Sequence, residues 1–591
     1  MLLLGLPVHG HTIRVTVTQD STERHALRGA IIEANKVGGN NTIILQPGIY
    51  RLSIQGADED GGLTGDLDVT RGRLAIMGAG TNTIIDASGL GDRVFHVLPK
   101  ARLTLVGLVV SGGTGADRGR LGVDGEDGGG IYNAGTLVLK NCVVTGNLSG
   151  DAGSPLGNLP RPGGGRGGGL YNQGTLVVDN CTFEENSCGG GWLGGSGGGI
   201  WDAGFAILKN CNIRDNRCGA GDSGDYNAVG YGGNGGSGAG LYNTGRMLLN
   251  HCTLSSNAAG QGGDGGQQGG FIQIGTPGGP GGSGGDGGGI YNVGFLKLNL
   301  CTVSGNSSGA GGGGIPSTGP YSNGGRGGNG GGIFSMAVVS LNTCTISGNS
   351  CGSGGAGGSV ILPSGALGGS GGGIYSTGSL TLLSCTICSN SAGNGGTGEN
   401  SLGISSLVLA DGGPGGNGGG ISSEAGRDMV LLRNTLVALN SPGSGGLGGT
   451  NLPFPGFPPL SAVGVDGAPG SGPDLAGSFT SGGYNLVGVA DGSDGFTGSL
   501  NGDRVGSTNS PINPLLGPLQ DNGGSTLTHA LLHGSPAIDQ GNSFHIHTDQ
   551  RGHHRPHKYP SIPDAPGGDG SDIGALELDA LSSSHGKQSN R

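Results

Sequence analysis

The chain has 591 residues, of which 145 are glycine and 27 proline, with a formal charge of −12 and only 29 Lys and Arg. No basic stretch stands out, so nucleic acid is not an expected partner. No run of eighteen apolar residues exists to make a membrane-spanning helix. Glycine and proline at this level would mean disorder if they lacked periodicity, but this chain is periodic.

Residues 1–12 form an apolar start, shorter than a complete signal peptide and consistent with the remnant of one. Residues 13–110 read as an N-terminal cap and early rungs of a solenoid. Within them, Thr22 to Val37 predicts a helix: Ala26, Leu27, Ala30, Ile31 and Ala34 share one face, and Gly38-Gly39 ends it. An amphipathic helix is the usual cover for the open end of a solenoid. Thr42–Leu45, Leu74–Met77, Val94–Leu98 and Leu103–Val110 then read as strands. Between them, Asp58, Glu59, Asp60, Asp66 and Asp68 crowd five carboxylates into eleven residues. Hard oxygen ligands in a Gly-containing loop suit calcium, and the competing reading is a solvated charge run.

Residues 111–440 repeat one seventeen-residue phrase seven times without change of length. An Ile or Leu opens each copy. Eleven positions later stands Cys142, Cys181, Cys211, Cys252, Cys301, Cys344 or Cys385, and five beyond that stands Asn147, Asn186, Asn216, Asn257, Asn306, Asn349 or Asn390. The spacers between copies run from 13 to 32 residues. A fixed phrase between spacers of any length is the mark of a solenoid, whose core must stay in register while its excursions need not. Apolar residues alternate at period two, as in Leu137 and Leu139, and the parity slips by one at pairs such as Lys140-Asn141, where the chain must bend. Three short strands per repeat, wound in one direction, predict an all-β fold, a right-handed parallel β-helix, with ten to twelve rungs. Its cysteines and asparagines should stack as structural ladders. The eleven cysteines are expected to be mostly free and buried, because in-register neighbours rarely suit disulfide geometry.

The second position of the phrase holds Tyr132, Tyr171, Trp201, Tyr242, Tyr291, Phe334 and Tyr375. If the opening residue points inward, these form an outward aromatic column, either a flat face for sugars or a self-stacked ladder. The Gly-rich tracts, such as Gly262–Gly270 and Gly311–Gly332, hold little to bury. Exposed, mobile loops leaving one edge are expected, with side-by-side polyglycine helices as the alternative. Residues 441–475 are Pro/Gly-rich, 476–580 differ in texture, and 581–591 are a polar tail. His545, His547, His553, His554 and His557 are dense, but their spacing is a weak zinc signal.

Several stretches match known families. Leu27-Arg28-Gly29-Ala30-Ile31 with Ala34-Asn35, Pro47-Gly48-Ile49-Tyr50 and Gly65-Asp66-Leu67-Asp68 resemble bacterial surface β-helix proteins with a CSLREA-type start, although His25-Ala26 stands where that family writes cysteine-serine. Gly483-Tyr484-Asn485-Leu486-Val487-Gly488, Gly534-Ser535-Pro536-Ala537-Ile538-Asp539, Thr548-Asp549-Gln550-Arg551-Gly552 and Asp572-Ile573-Gly574-Ala575-Leu576-Glu577 resemble the choice-of-anchor Q domain. The repeats are similar to the GGAI and FxxN motifs of polymorphic outer-membrane adhesins, here Gly128-Gly129-Gly130-Ile131 and Phe183-Glu184-Glu185-Asn186. These resemblances imply an extracellular or cell-surface protein. Asp539, Asp549, Arg551 and Glu577 fall on the terminal motifs and are read as a hydrogen-bonded structural network.

The expected function is a non-enzymatic adhesion or structural binding module directed at glycans or cell-surface components. The competing reading is a polysaccharide lyase or glycoside hydrolase, for which the strands offer one isolated acid, Asp202, without a partner.

Overall fold

The computed structural model describes residues 10–56, 59–115, 122–153, 161–224, 230–266, 279–314, 322–358, 364–402, 410–426, 429–452, 463–496 and 500–579. The chain winds into a right-handed parallel β-helix with three long parallel sheets of 13, 12 and 13 strands. In the first phrase the opening sheet takes Ile131–Asn133, the middle sheet Thr136–Lys140 and the closing sheet Val143–Thr145. Register between copies is strict: Ile131 pairs with Leu170, Leu137 with Leu176 and Val144 with Phe183. The thirteen strands of the middle sheet exceed the ten to twelve rungs expected, because the coil continues past the last recognisable phrase to Thr480–Ser481. At a step of about 4.8 Å the shaft is about 58 Å long.

Two turns of two residues each set two corners of the triangle. Between middle and closing strands, Asn141, Asn180, Asn210 and Asn434 have φ of 46–54°, the left-handed region that asparagine tolerates best. This is the bend predicted at Lys140-Asn141. Between opening and middle strands, a Cβ at Gly174 would lie 2.0 Å from the Gly135 carbonyl oxygen, so glycine permits the close approach of these two rungs, although Ala337 and Ala425 stand at the same position in later copies.

The interior is built of columns. The opening Ile and Leu residues, the alternating middle-sheet residues and the seven cysteines form one continuous apolar core. Cys142 and Cys181 lie in file, with the Cys142 amide donating to Cys181 Sγ at 3.3 Å. All eleven cysteines carry free thiols, and ten of them are buried. The asparagine ladder runs unbroken: Asn147, Asn186, Asn216, Asn257, Asn306, Asn349 and Asn390 each donate Nδ2 to the Oδ1 of the next at 2.8–3.0 Å. It ends with Asn440 donating to Asp474.

The helix occupies Leu27–Val37 and buries Leu27, Ala30, Ile31 and Ala34 against the first rung. It begins five residues later than Thr22 because residues 22–25 form a turn, closed by the Ala26 amide on the Glu23 oxygen at 2.9 Å, and Ala26 itself bridges to Val17. The predicted strand Leu103–Val110 is two strands, Ala101–Val106 and Val109–Ser111, broken at Gly107 with φ 61°.

The glycine-rich spacers differ most from expectation. Wherever they are described they are not loose loops but a close-packed array on one edge. Each leaves the coil on an outgoing leg, such as 259–266, and comes back on a returning leg, such as 279–288. The two legs bond to each other and to neighbouring rungs. The Gly282 amide donates to the Gly263 oxygen of its own spacer, Gly263 to Gly233 and Gly262 to Ala310, all at 2.8–2.9 Å. The repeat within a leg is three residues, that of a polyproline-II-type helix, which has no internal hydrogen bonds and must find partners outside itself. Two residues in three face another leg. A Cβ at Gly263 or Gly282 would stand 2.0 or 1.8 Å from a neighbouring carbonyl oxygen. The third position points outward and carries Gln261, Asp264, Ser283 or Asp286. The tracts therefore do bury something, namely backbone against backbone.

The region 476–580 has two parts. Leu475–Ser478, Thr480–Ser481, Leu486–Val487 and Arg504–Val505 complete the coil. Residues 506–579 then turn back as a strap along the outside of the closing sheet. Gln550, fully buried, donates to Thr302 Oγ1 and accepts from Thr345 Oγ1 at 2.7 Å. His529 Nε2 meets Ser347 Oγ at 2.8 Å, and the Ala575 amide donates to Thr386 Oγ1. Asp539, Asp549, Arg551 and Glu577 join this strap through Arg551–Asp549 at 2.7 Å, Arg555–Glu577 at 2.5 Å and Asp572, whose Oδ1 takes the Asp539 amide. The polar tail, the first nine residues and Asp58 lie outside the described residues.

Candidate functional site

Each face of a three-sided coil is available only if nothing covers it. On the opening sheet, Tyr132, Tyr171, Trp201, Tyr242, Tyr291, Phe334 and Tyr375 stack continuously, with centroids 4.5–5.9 Å apart and planes within 26° of parallel. Each ring face is taken by the next ring. Tyr171, Trp201, Phe334 and Tyr375 are buried, and Arg166 lies 4.8 Å from the Trp201 ring. A Cβ at Gly197 (φ 75°) would sit 2.8 Å from Trp201 Cβ, so glycine here lets the spacer close over the rings. This geometry is that of a covered ladder; a sugar would find ring edges rather than faces.

The third residue of each opening strand, among them Asn133, Asn172, Asp202, Asn243 and Asn292, points inward. All five are fully buried and form a second amide ladder: Asn133 donates to Asn172, Asn172 to Asp202 and Asn243 to Asn292 at 2.5–2.7 Å. Asp202 is therefore out of reach of a substrate. Burial pushes its carboxyl up to about 6, and its Oδ2 has no hydrogen-bond partner. Because the folded value lies above the unfolded value, this group favours folding most below about pH 4, and stability is lost as pH rises towards 6. Asp202→Asn is expected to raise stability at pH 7 by about 2 kcal/mol and flatten the pH dependence between 4 and 6. Urea unfolding at several pH values measures this, and a variant as pH-dependent as the parent would refute it.

The closing sheet is covered by the strap from Thr302 to Thr386. The middle sheet keeps an open outer face. Its strands carry Arg14, Arg73, Arg102, Lys140, Lys209, Arg246, Lys297 and Arg433. Asp179 is the one acid on them. Each cation sits at an outward position, and all but Lys297 are exposed. Between them lie half-buried apolar side chains, Val177, Phe205, Ile207, Leu248 and Phe295. The Arg246 guanidinium lies 5.0 Å from the Phe295 ring. Sequence reading missed this face because its cations are one per strand, tens of residues apart, and assemble only when the rungs stack.

Of the acidic group near the N-terminus, the four described carboxylates, Glu59, Asp60, Asp66 and Asp68, do not converge on one point. Glu59 caps the amides of Gly61 and Thr64. Asp66 pairs with Arg93 at 3.3 Å, and Arg93 also meets Glu126 at 2.8 Å. Burial holds the Asp66 carboxyl well above the usual carboxylate range. The loop carbonyls of Gly62, Gly65 and Asp66 are taken by the buried guanidinium of Arg28, which itself pairs with Asp20 at 2.9 Å. Asp60 and Asp68 instead meet His96, a residue the sequence did not single out. Among the described residues, the C-terminal histidines form no metal-ligating group.

No protein-family profile matches the chain, and no curated protein matches it. Among solved structures it is similar to pectate lyase Pel9A, with 11% identity and a TM-score of 0.34 over 97% of this chain and 98% of that one. The A-module of mannuronan C-5 epimerase AlgE6 from Azotobacter vinelandii gives 13% identity and a TM-score of 0.29 over 70% of this chain and 95% of that one. Pectin methylesterase PemA from Erwinia chrysanthemi gives 10% and 0.22 over 49% and 78%. The likeness is one of fold alone.

Proposed function

We propose that this protein is a non-enzymatic binding module, displayed outside the cell, that holds acidic polysaccharide along the outer face of its middle sheet. The observation that carries the reading is the charge of that face: eight cations against one acid, in a chain of formal charge −12. Guanidinium and ammonium groups pair with uronate or sulfate, and the half-buried aliphatic and aromatic side chains between them suit the C–H faces of sugar rings. Each exposed pair contributes about 0–1 kcal/mol. Affinity must therefore come from many contacts made in parallel along one chain, and it must weaken with salt.

The test is binding of the full chain to polyuronates and to neutral glycans of matched length at low and moderate salt. Retention of the acidic polymers is expected, falling by about tenfold or more when Lys209, Arg246 and Lys297 are together changed to Glu, with no release of reducing or unsaturated ends. Equal binding of neutral and acidic glycans, or a triple variant that binds as the parent does, would sink this reading. Release of cleaved ends would establish the competing enzyme.

A further inference from the structure

The second position of the opening strands, which carries the aromatic column higher up, holds His96 and then Asp68 towards the N-terminal end. Register sets Asp68 beside His96 and His96 beside Tyr132. The Asp68 side chain is wholly buried, yet its Oδ1 has no hydrogen-bond partner. It aims at His96 Nδ1 from 3.3 Å, and Asp60 Oδ1 faces the same nitrogen from 3.6 Å. The three ligand atoms lie within 4.8 Å of one another. Two carboxylates crowd one ring nitrogen, and the free oxygen of the buried one faces no polar group nearer than that ring.

We propose that Asp60, Asp68 and His96 hold a divalent transition-metal ion of the zinc class. A tetrahedral ion with bonds of about 2.0–2.2 Å separates its ligands by about 3.3–3.6 Å, the spacing already present on two edges. Two carboxylates and a neutral imidazole match the charge of a dication. The imidazole selects borderline metals over calcium, which takes oxygen ligands. The site is built before the ion arrives. The second oxygen of Asp68 takes the Gly62 amide at 2.9 Å, fixing the carboxylate as an outer-shell contact does. The His96 ring is braced edge-on against Tyr132 at 5.1 Å. Glu59 ties the loop that carries Asp60. Asp60 is exposed on its outer side, which leaves a route for entry and a position for water.

The experiment is calorimetric titration of the chelator-treated full chain with Zn²⁺, repeated with Co²⁺ to read the ligand set from its absorption spectrum, and with Ca²⁺. One zinc site per chain is expected, with affinity falling about 30-fold or more in His96→Gln and in Asp60→Asn, and with no displacement by calcium. His553→Ala, in the strap, should leave that site unchanged. Asp60 is on the surface, so Asp60→Asn keeps the test valid if the buried Asp68→Asn does not fold. Zinc isotherms of His96→Gln and Asp60→Asn that superimpose on the parent's would overturn the proposal. Displacement of zinc by calcium would also overturn it, since that marks a site of oxygen ligands only. Neither outcome bears on glycan binding by the middle sheet.

Discussion

Gly312→Ala is expected to destabilise the protein by about 3 kcal/mol, while Gly313→Ala next to it is neutral or stabilising by up to about 1 kcal/mol. A Cβ at Gly312 would lie 2.1 Å from the Gly263 oxygen and 2.5 Å from its carbonyl carbon, both backbone atoms of the adjacent rung's leg. Neither can move without breaking the bonds Gly282 to Gly263 and Gly312 to Gly282. At Gly313 the nearest atom is the Asp264 carboxylate at 3.5 Å, an ordinary contact, and the added methyl restricts the unfolded chain. Denaturant unfolding gives both values, and amide exchange at Gly263 and Gly282 locates the damage. Equal losses for the two variants would show that the legs are not packed in solution.

Asn306→Ala should cost about 3–4 kcal/mol, since each orphaned buried polar group costs about 1–3 kcal/mol. Asn306 Oδ1 accepts from the Asn257 amide at 3.0 Å and from Asn257 Nδ2 at 2.8 Å. Its own Nδ2 donates to the Leu254 oxygen at 3.1 Å and to Asn349 Oδ1 at 2.9 Å. Truncation strands donors of Asn257 and the Leu254 carbonyl, and leaves Asn349 Oδ1 with only the residue-306 backbone amide, in the middle of the shaft, where the column is fully buried. A loss below about 1 kcal/mol would mean that water enters and replaces the amide.

The strongest sequence signal and the strongest structural one coincide at these columns. The seventeen-residue phrase contains its own strands, turns and core, so Leu137, Cys142 and Asn147 could be placed on the rung from spacing alone. Their stacking follows from identity at fixed offset. The spacers were legible in principle: Gly260, Gly262, Gly263, Gly265 and Gly266 leave gaps at Gln261 and Asp264, a period of three. Weighing only apolar burial hides that pattern, because what these residues bury is peptide backbone. The burial of Asp202 and its asparagine neighbours is not legible in one rung, because a polar residue in a three-residue strand reads as outward, and only side-chain hydrogen bonds between rungs, Asn133 to Asn172 and Asn172 to Asp202, make it stable inside.

By itself, then, the sequence determined whatever lies within one turn of the coil: strand period, bend, cap and the identity of each ladder. The tertiary structure alone decided which residues meet across turns. Spacers of 13 to 32 residues leave no fixed offset from Lys209 to Arg246 and Lys297, and the irregular early rungs leave none from Asp60 and Asp68 to His96. Those neighbourhoods exist because parallel register sets each rung about 4.8 Å above the last, whatever length of chain runs between.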